Sequence, residues 1–284
     1  MSTTGILIPI GGNEDKGIEE HEQYTLEFIS EGILYHVVKE AGGVDMNFLI
    51  VPTASSIPDE VGANYLEAFT KLGCKNVRVM DIRSREEAED PKNIELVKNA
   101  QCVMFSGGNQ SNITANIKDT TLHKVLQEKY ETEKFVIAGT SAGAMCMSQE
   151  MITGGSAQES FVKGAVGMGE GMNFIPNLII DSHFIRRGRF GRLAEAVAQF
   201  PQLVGIGLAE DTGLIVRDNS FEVIGSGMVI IIDARKTKHN NHKILAEGTP
   251  MTLTNLKTHV LANGDIFNIK ERKIKVLPMD APFV

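Results

Sequence analysis

No apolar run in the 284-residue sequence approaches the roughly 20 residues that cross a bilayer, so a membrane-spanning helix is not expected. The opening stretch, MSTTGILIPIGG, lacks a basic segment and a small-residue cleavage site. Its apolar part reads as a buried strand, and the expectation is a soluble, cytoplasmic protein. Cysteine is scarce. Cys74, Cys102 and Cys146 show no paired metal spacing and leave one thiol over if two are bridged, which suits core positions in a reducing compartment. Basic residues are outnumbered, and a net charge of -8 without a basic stripe argues against a nucleic-acid partner. An acidic surface suits a basic substrate instead. Repeats, low-complexity tracts and a linker are also missing, so one domain over 1–284 is expected. A G-x-x-x-x-G-K-[ST] loop, a G-x-G-x-x-G after the first strand and a His/Glu zinc motif are all absent, which removes the sequence grounds for a nucleotide, a nicotinamide or a metal cofactor.

What the sequence does contain is alternation. Apolar, β-branched runs at 5–12, 47–53, 76–82, 102–108 and 134–141 are separated by segments near 22–41, 58–72, 85–98 and 118–130 with apolar residues at three- and four-residue spacing. Runs that are continuously apolar are buried on both faces. The pattern therefore predicts an α/β fold with a mainly parallel central sheet and helices on both sides. Ligands bind such sheets beyond the carboxyl ends of the strands. The tails GGNEDKG, PTASS, SGGNQSN and GTSAGA all follow predicted strands, so they are expected to converge on one rim. Beyond residue 150 a Gly-rich segment (151–171), a strand at 177–181 and a helix near 189–199 lead into a C-terminal portion, 214–284, that reads as short strands joined by turns.

Gly139-Thr140-Ser141-Ala142-Gly143 matches G-x-S-x-G, which places a serine on a tight strand-to-helix turn with small neighbours that permit a strained backbone. The strand before it and the small residues after it supply the context the motif requires. Ser141 is the candidate nucleophile, and the following helix is expected to aim its N-terminus at a developing oxyanion. A base is needed within reach. Of seven histidines, His21, His36 and His123 fall in predicted helices and His239, His242 and His259 in late polar segments, whereas His183 directly follows a buried strand and shares the rim with Ser141. For the acid that orients the imidazole, Glu210 and Glu159 both remain open.

Arg186, Arg187, Arg189 and Arg192 crowd a helix start, where cations oppose the helix dipole. Bidentate binding of substrate carboxylates explains that placement, with internal salt bridges as the competing explanation. Gly107 and Gly108 allow close backbone approach, and the Gln110 amide suits hydrogen bonding to a peptide substrate.

These residues resemble the cyanophycinase family, serine peptidases related to peptidase E. The motifs that carry the likeness are IPIGGNEDK at 8–16, GTSAGA at 139–144, DSHFIRRGRFGRL at 181–193 and GIGLAEDTGLIV at 205–216. The resemblance implies a class I glutamine amidotransferase-like (flavodoxin-like) fold with a C-terminal antiparallel β portion. It implies Ser141 as nucleophile, His183 as base and a glutamate as third member. It also implies that Gln110, Asp181, Ser182 and the three arginines Arg187, Arg189 and Arg192 shape a substrate pocket. The family's substrate is cyanophycin, a polyaspartate with arginine joined to each side-chain carboxylate, cleaved to β-Asp-Arg dipeptides without metal or nucleotide. A homodimer is implied as well. Three positions depart from the family pattern: Ser182 stands in place of glutamine, Asn109 of aspartate and Asn13 of alanine. An α-aspartyl dipeptidase acting on Asp-containing peptides, and a non-catalytic binding module of the same fold, are the alternatives. A glutamine amidotransferase is disfavoured because its nucleophile is cysteine, and Cys146 lies beyond the corner.

Overall fold

The computed structural model describes residues 3–18, 26–155 and 161–278. Five strands with intervening helices occur in the predicted order: β1 (Ile6–Ile10), β2 (Asn47–Val51), β3 (Asn76–Val79), β4 (Cys102–Phe105) and β5 (Val136–Thr140). They pair in parallel in the order β1-β5-β4-β2-β3. Each strand alternates faces. Leu7, Leu49, Val51, Val103, Phe105 and Ile137 enter one core, while Ile8, Ile10, Phe48, Ile50, Met104 and Ala138 enter another on the opposite side. Helices α1 (Ile33–Ala41) and α2 (Pro58–Lys71) cover the second core; α3 (Arg85–Glu89), α4 (Pro91–Asn99), α5 (Gln110–Ile117) and α6 (Thr121–Thr132) cover the first. The predicted α/β class is the one observed.

Local signals set the boundaries. Gly42, at φ 116°, ends α1, and Pro58 with Asp59 and Glu60 opens α2. The helix expected over 85–98 is two helices, because Asp90 caps a new start and Pro91 cannot continue the old one. The helix expected over 22–41 is observed only from Ile33; residues 19–25 lie outside the described residues.

The chain then departs from simple alternation. After the single turn α7 (Ala142–Met145), the Gly-rich segment forms a hairpin of β6 (Glu150–Gly155) and β7 (Val166–Glu170). The strand expected at 177–181 is β8 (Leu178–Asp181), followed by α8 (Phe190–Gln199) and β9 (Val204–Leu208). β10 (Thr212–Arg217) and β11 (Ser220–Gly225) add antiparallel strands beside β1. Next come β12 (Val229–Asp233), the two-residue pair β13 (His239–Asn240) and β14 (Leu253–Thr254), then β15 (Lys257–Leu261), β16 (Ile266–Asn268) and β17 (Lys273–Lys275). Among the described residues the main sheet has nine strands, β17-β16-β11-β10-β1-β5-β4-β2-β3. β8 and β9 belong to a second sheet, ordered β15-β12-β9-β8. Leu178, Ile180, Ile206 and Val229 on one face of that sheet share the core of the main sheet, while Ile179, Ile230 and Ile232 on the other face pack with Leu193 and Val197 of α8. The two sheets thus stack through one apolar layer. The second carries the residues that follow it to the main sheet's rim.

Ile206 is fully buried in that layer, so Ile206→Ala is expected to destabilise the protein by about 2–5 kcal/mol, read from the denaturant midpoint. Val260→Ala on the exposed side of β15 should stay within about 0.5 kcal/mol of the parent.

Candidate active site

β5 ends at Thr140, and Ser141 turns the chain at φ 51° and ψ -107°, a conformation that costs an ordinary L-residue about 1–3 kcal/mol. The flanking glycines are required by packing. A Cβ on Gly139 would lie 2.4 Å from the Gly143 carbonyl oxygen, and one on Gly143 would lie 2.4 Å from that of Phe105. The helix behind the serine is one turn, Ala142–Met145, too short for a substantial macrodipole. Any oxyanion stabilisation at this corner therefore rests on individual backbone amides.

Ser141 Oγ lies 3.0 Å from His183 Nε2, and His183 Nδ1 lies 2.7 Å from Glu210 Oε1. The other carboxylate oxygen of Glu210 accepts a 2.9 Å bond from Arg186 Nη1. Glu159 lies outside the described residues. The three groups come from three loops, which converge on the end of β1. The Ile10 carbonyl accepts the amide of Ser141 at 2.8 Å, Gly11 that of His183 at 2.8 Å, and Gly12 that of Asp211 at 2.9 Å. A Cβ on Gly12 would lie 2.4 Å from the His183 ring, so the imidazole packs directly against the backbone there. A cleft of about 410 Å³ opens in front of Ser141 and His183, lined also by Gly107, Gly108, Lys16 and Arg187. Of the four tails expected to converge on one rim, GGNEDKG, SGGNQSN and GTSAGA contribute residues to the cleft. PTASS does not line it; its Ala54 carbonyl instead accepts the Asn109 amide at 2.9 Å and so packs behind the SGGNQSN tail. A larger cleft of about 730 Å³, between β2, β3 and α4, holds none of the candidate residues.

A model of peptidase family S51 matches residues 26–224. The chain belongs to peptidase family S51. It is a serine peptidase, and therefore a hydrolase. This S51 peptidase is 36% identical over 265 residues to the cyanophycinase of Geminocystis herdmanii (strain PCC 6308), covering 93% of each chain. It is 34% identical over 275 residues to that of Nostoc sp. (strain PCC 7120 / SAG 25.82 / UTEX 2576), covering 96% of this chain and 89% of the other. Its fold is similar to the crystal structure of a peptidase from an acI-B1 Actinobacterium, with TM-score 0.61 at 22% identity over 91% of this chain and 97% of that one. A putative peptidase E protein from Listeria monocytogenes EGD-e gives TM-score 0.52 at 16% identity over 78% and 99%. Those two likenesses bear on the fold alone.

Burial holds the His183 imidazole of this S51 peptidase below its ordinary value; nearby Arg187 and Arg189 add to the effect, and together they outweigh the Glu210 hydrogen bond. The ring is therefore neutral at neutral pH, as a proton acceptor must be. For Glu210, burial pushes upward, but the bonds from Arg186 and His183 prevail and keep the carboxylate charged.

Several residues expected to contact substrate are committed elsewhere. Asp181 is 0% exposed and takes both the Arg192 guanidinium, Nε at 2.9 Å together with Nη2, and Arg189 Nη1 at 3.1 Å. Internal salt bridges, the competing explanation for the arginines, are what Arg189 and Arg192 form. A carboxylate at a helix start offsets the dipole penalty that made the cluster conspicuous. Gln110 is buried, and its amide donates to the Ile152 carbonyl at 2.7 Å. Ser182 is buried, with its Oγ 3.2 Å from Met145 Sδ and 3.5 Å from Ser141 Oγ. Arg187 is the member of the cluster that lines the cleft. Cys146 is fully buried, its thiol pushed up by burial, and it is a core residue.

Sequence reasoning did not foresee Arg186 as the partner of Glu210 or Gly11 and Gly12 as the anchor of two loops. The signal for the second was two glycines in succession after a buried strand.

Gly12→Ala is expected to displace the imidazole and lower kcat/KM by about 100-fold; because Gly12 has φ 103°, it should also destabilise the protein by about 1 kcal/mol or more. Wild-type turnover in that variant would contradict the geometry. With His183 acting as the base, the acid limb of kcat/KM is expected to have its midpoint below 6.5, because burial lowers the pKa of the imidazole. Arg187→Gln removes a nearby positive charge and should move that midpoint upward.

Proposed function

We infer that this peptidase hydrolyses cyanophycin, or a closely similar β-arginyl polyaspartate, through a Ser141-His183-Glu210 triad and an acyl-enzyme. The observation that carries the reading is the chain of 3.0 Å and 2.7 Å contacts from Ser141 through His183 to Glu210 at the cleft. Similarity to cyanophycinases over 93% or more of the chain supplies the substrate class.

In this reading His183 Nε2 takes the Ser141 hydroxyl proton as Oγ attacks the backbone carbonyl of an aspartyl residue. Glu210 holds the Nδ1–H tautomer and stabilises the imidazolium that forms. Amides of Ala142 and of Gly107 or Gly108 receive the oxyanion. The C–N bond breaks, His183 returns the proton to the leaving amine, and an ester on Ser141 remains. Water, deprotonated by the same imidazole, then attacks the ester and releases the acid and free Ser141. Arg187 faces the cleft and suits a substrate carboxylate, and the chain's net acidity suits the arginine branches.

Incubation with insoluble cyanophycin and, separately, with Asp-Leu distinguishes the readings by mass spectrometry of the products. Release of β-Asp-Arg from the polymer by the parent protein, with a loss of about 10⁴-fold or more in Ser141→Ala, is expected. Cleavage of Asp-Leu alone would move the substrate to α-aspartyl dipeptides, and retained turnover in Ser141→Ala would remove the triad.

A further inference from the structure

Because Arg189 and Arg192 are bound to Asp181, carboxylate recognition in front of Ser141 falls to other cations. Among the described residues the cleft is lined by two, Arg187 and Lys16. Lys16 is held in an unusual way for a lysine. Its Nζ lies 3.1 Å from Glu14 Oε1, donates to the Glu14 carbonyl at 3.3 Å and stands 5.1 Å from the centre of the Tyr65 ring. The Glu14 side chain is 1% exposed and also accepts the hydroxyls of Tyr65 and of Thr140, the residue before Ser141. Burial raises the pKa of Glu14, and Lys16 with these hydrogen bonds more than offsets it, so the carboxylate is charged. A charged, buried carboxylate must keep its counter-ion. The counter-ion therefore stays at the cleft, with its long side chain already ordered and about a quarter exposed. An ammonium has three N–H groups, and among the described residues two of those of Lys16 are directed to Glu14, with the third available to a ligand in the cleft.

We propose that Lys16 is a specificity-determining residue that binds a free carboxylate of the substrate in the cleft before Ser141. This rests on the cleft being the peptide site. In a β-arginyl aspartate chain a free carboxylate has two sources, the terminus of the main chain and the arginine branch. Both present the same group to an ammonium.

The test is protection of Ser141 from a fluorophosphonate label by short β-arginyl aspartate peptides. They carry a carboxylate or an amide at the main-chain terminus and, separately, at the branch. Protection depends on binding and not on turnover. In Lys16→Met the protecting concentration of the carboxylate peptide should rise about 10- to 100-fold while that of one of the two amide peptides is unchanged, and that amide identifies the source. Lys16→Arg should restore selectivity to within a few-fold. If Lys16→Met misfolds around the uncompensated Glu14, the Lys16→Met, Glu14→Gln double variant removes the buried charge along with its partner and should show the same selective loss. Equal weakening for all the peptides, or none, overturns the proposal and leaves the peptide reading of the cleft intact. A parent protein whose serine is labelled but unprotected by any aspartyl peptide overturns both.

Discussion

Three consecutive carbonyls at the end of β1, on Ile10, Gly11 and Gly12, hold the site together. Each accepts the amide of a different loop, at Ser141, at His183 and at Asp211 beside Glu210. The three loops follow β5 of the main sheet and the parallel-paired β8 and β9 of the second, so these carbonyls tie strand ends of different sheets to one point. Backbone hydrogen bonds suit this task because they have fixed geometry and little freedom to re-form elsewhere. Side-chain contacts of 3.0 Å and 2.7 Å then follow from where the main chain has been placed.

The placement strains the backbone. Ser141, His183 and Asp211 all have positive φ, at 51°, 47° and 46°, a region that non-glycine residues seldom occupy. Each such residue costs about 1–3 kcal/mol, and that cost must be carried by the surrounding core. The stacked layer of Leu178, Ile180, Ile206 and Val229 beneath the main sheet supplies apolar burial directly behind the strained loops. The same junction partly buries His183, and that burial lowers the pKa of the imidazole.

How much of this was legible depends on how local the signal is. β1, β2, β4 and β5 are readable because a parallel strand buried on both faces is a continuous apolar run; β3, an edge strand with Asn76, Arg78 and Val79 exposed, is readable only from its alternating valines. The serine corner is readable because its glycines are adjacent in sequence. His183 is found by its position after a buried strand, although that strand belongs to the second sheet; a buried run does not reveal its partners. The same blindness misdirects the arginines. Asp181 and Arg192 are eleven residues apart, and sequence spacing does not show that the Asp181 carboxylate is turned inward to meet them. Lys16 escapes notice for a related reason: its significance comes from Glu14 being buried against Tyr65 and Thr140, residues far away in the chain. The hairpin of β6 and β7 is hidden because six glycines between 151 and 171 carry little periodicity.

The central claim is that one serine is activated by one histidine at this junction. Ser182 Oγ, 3.5 Å from Ser141 Oγ, supplies a demanding control. Treating the protein with a fluorophosphonate and mapping the adduct by tandem mass spectrometry tests the claim directly. A single adduct on Ser141, abolished in His183→Ala, is predicted. An adduct on Ser182, or labelling that persists without the imidazole, would contradict the account.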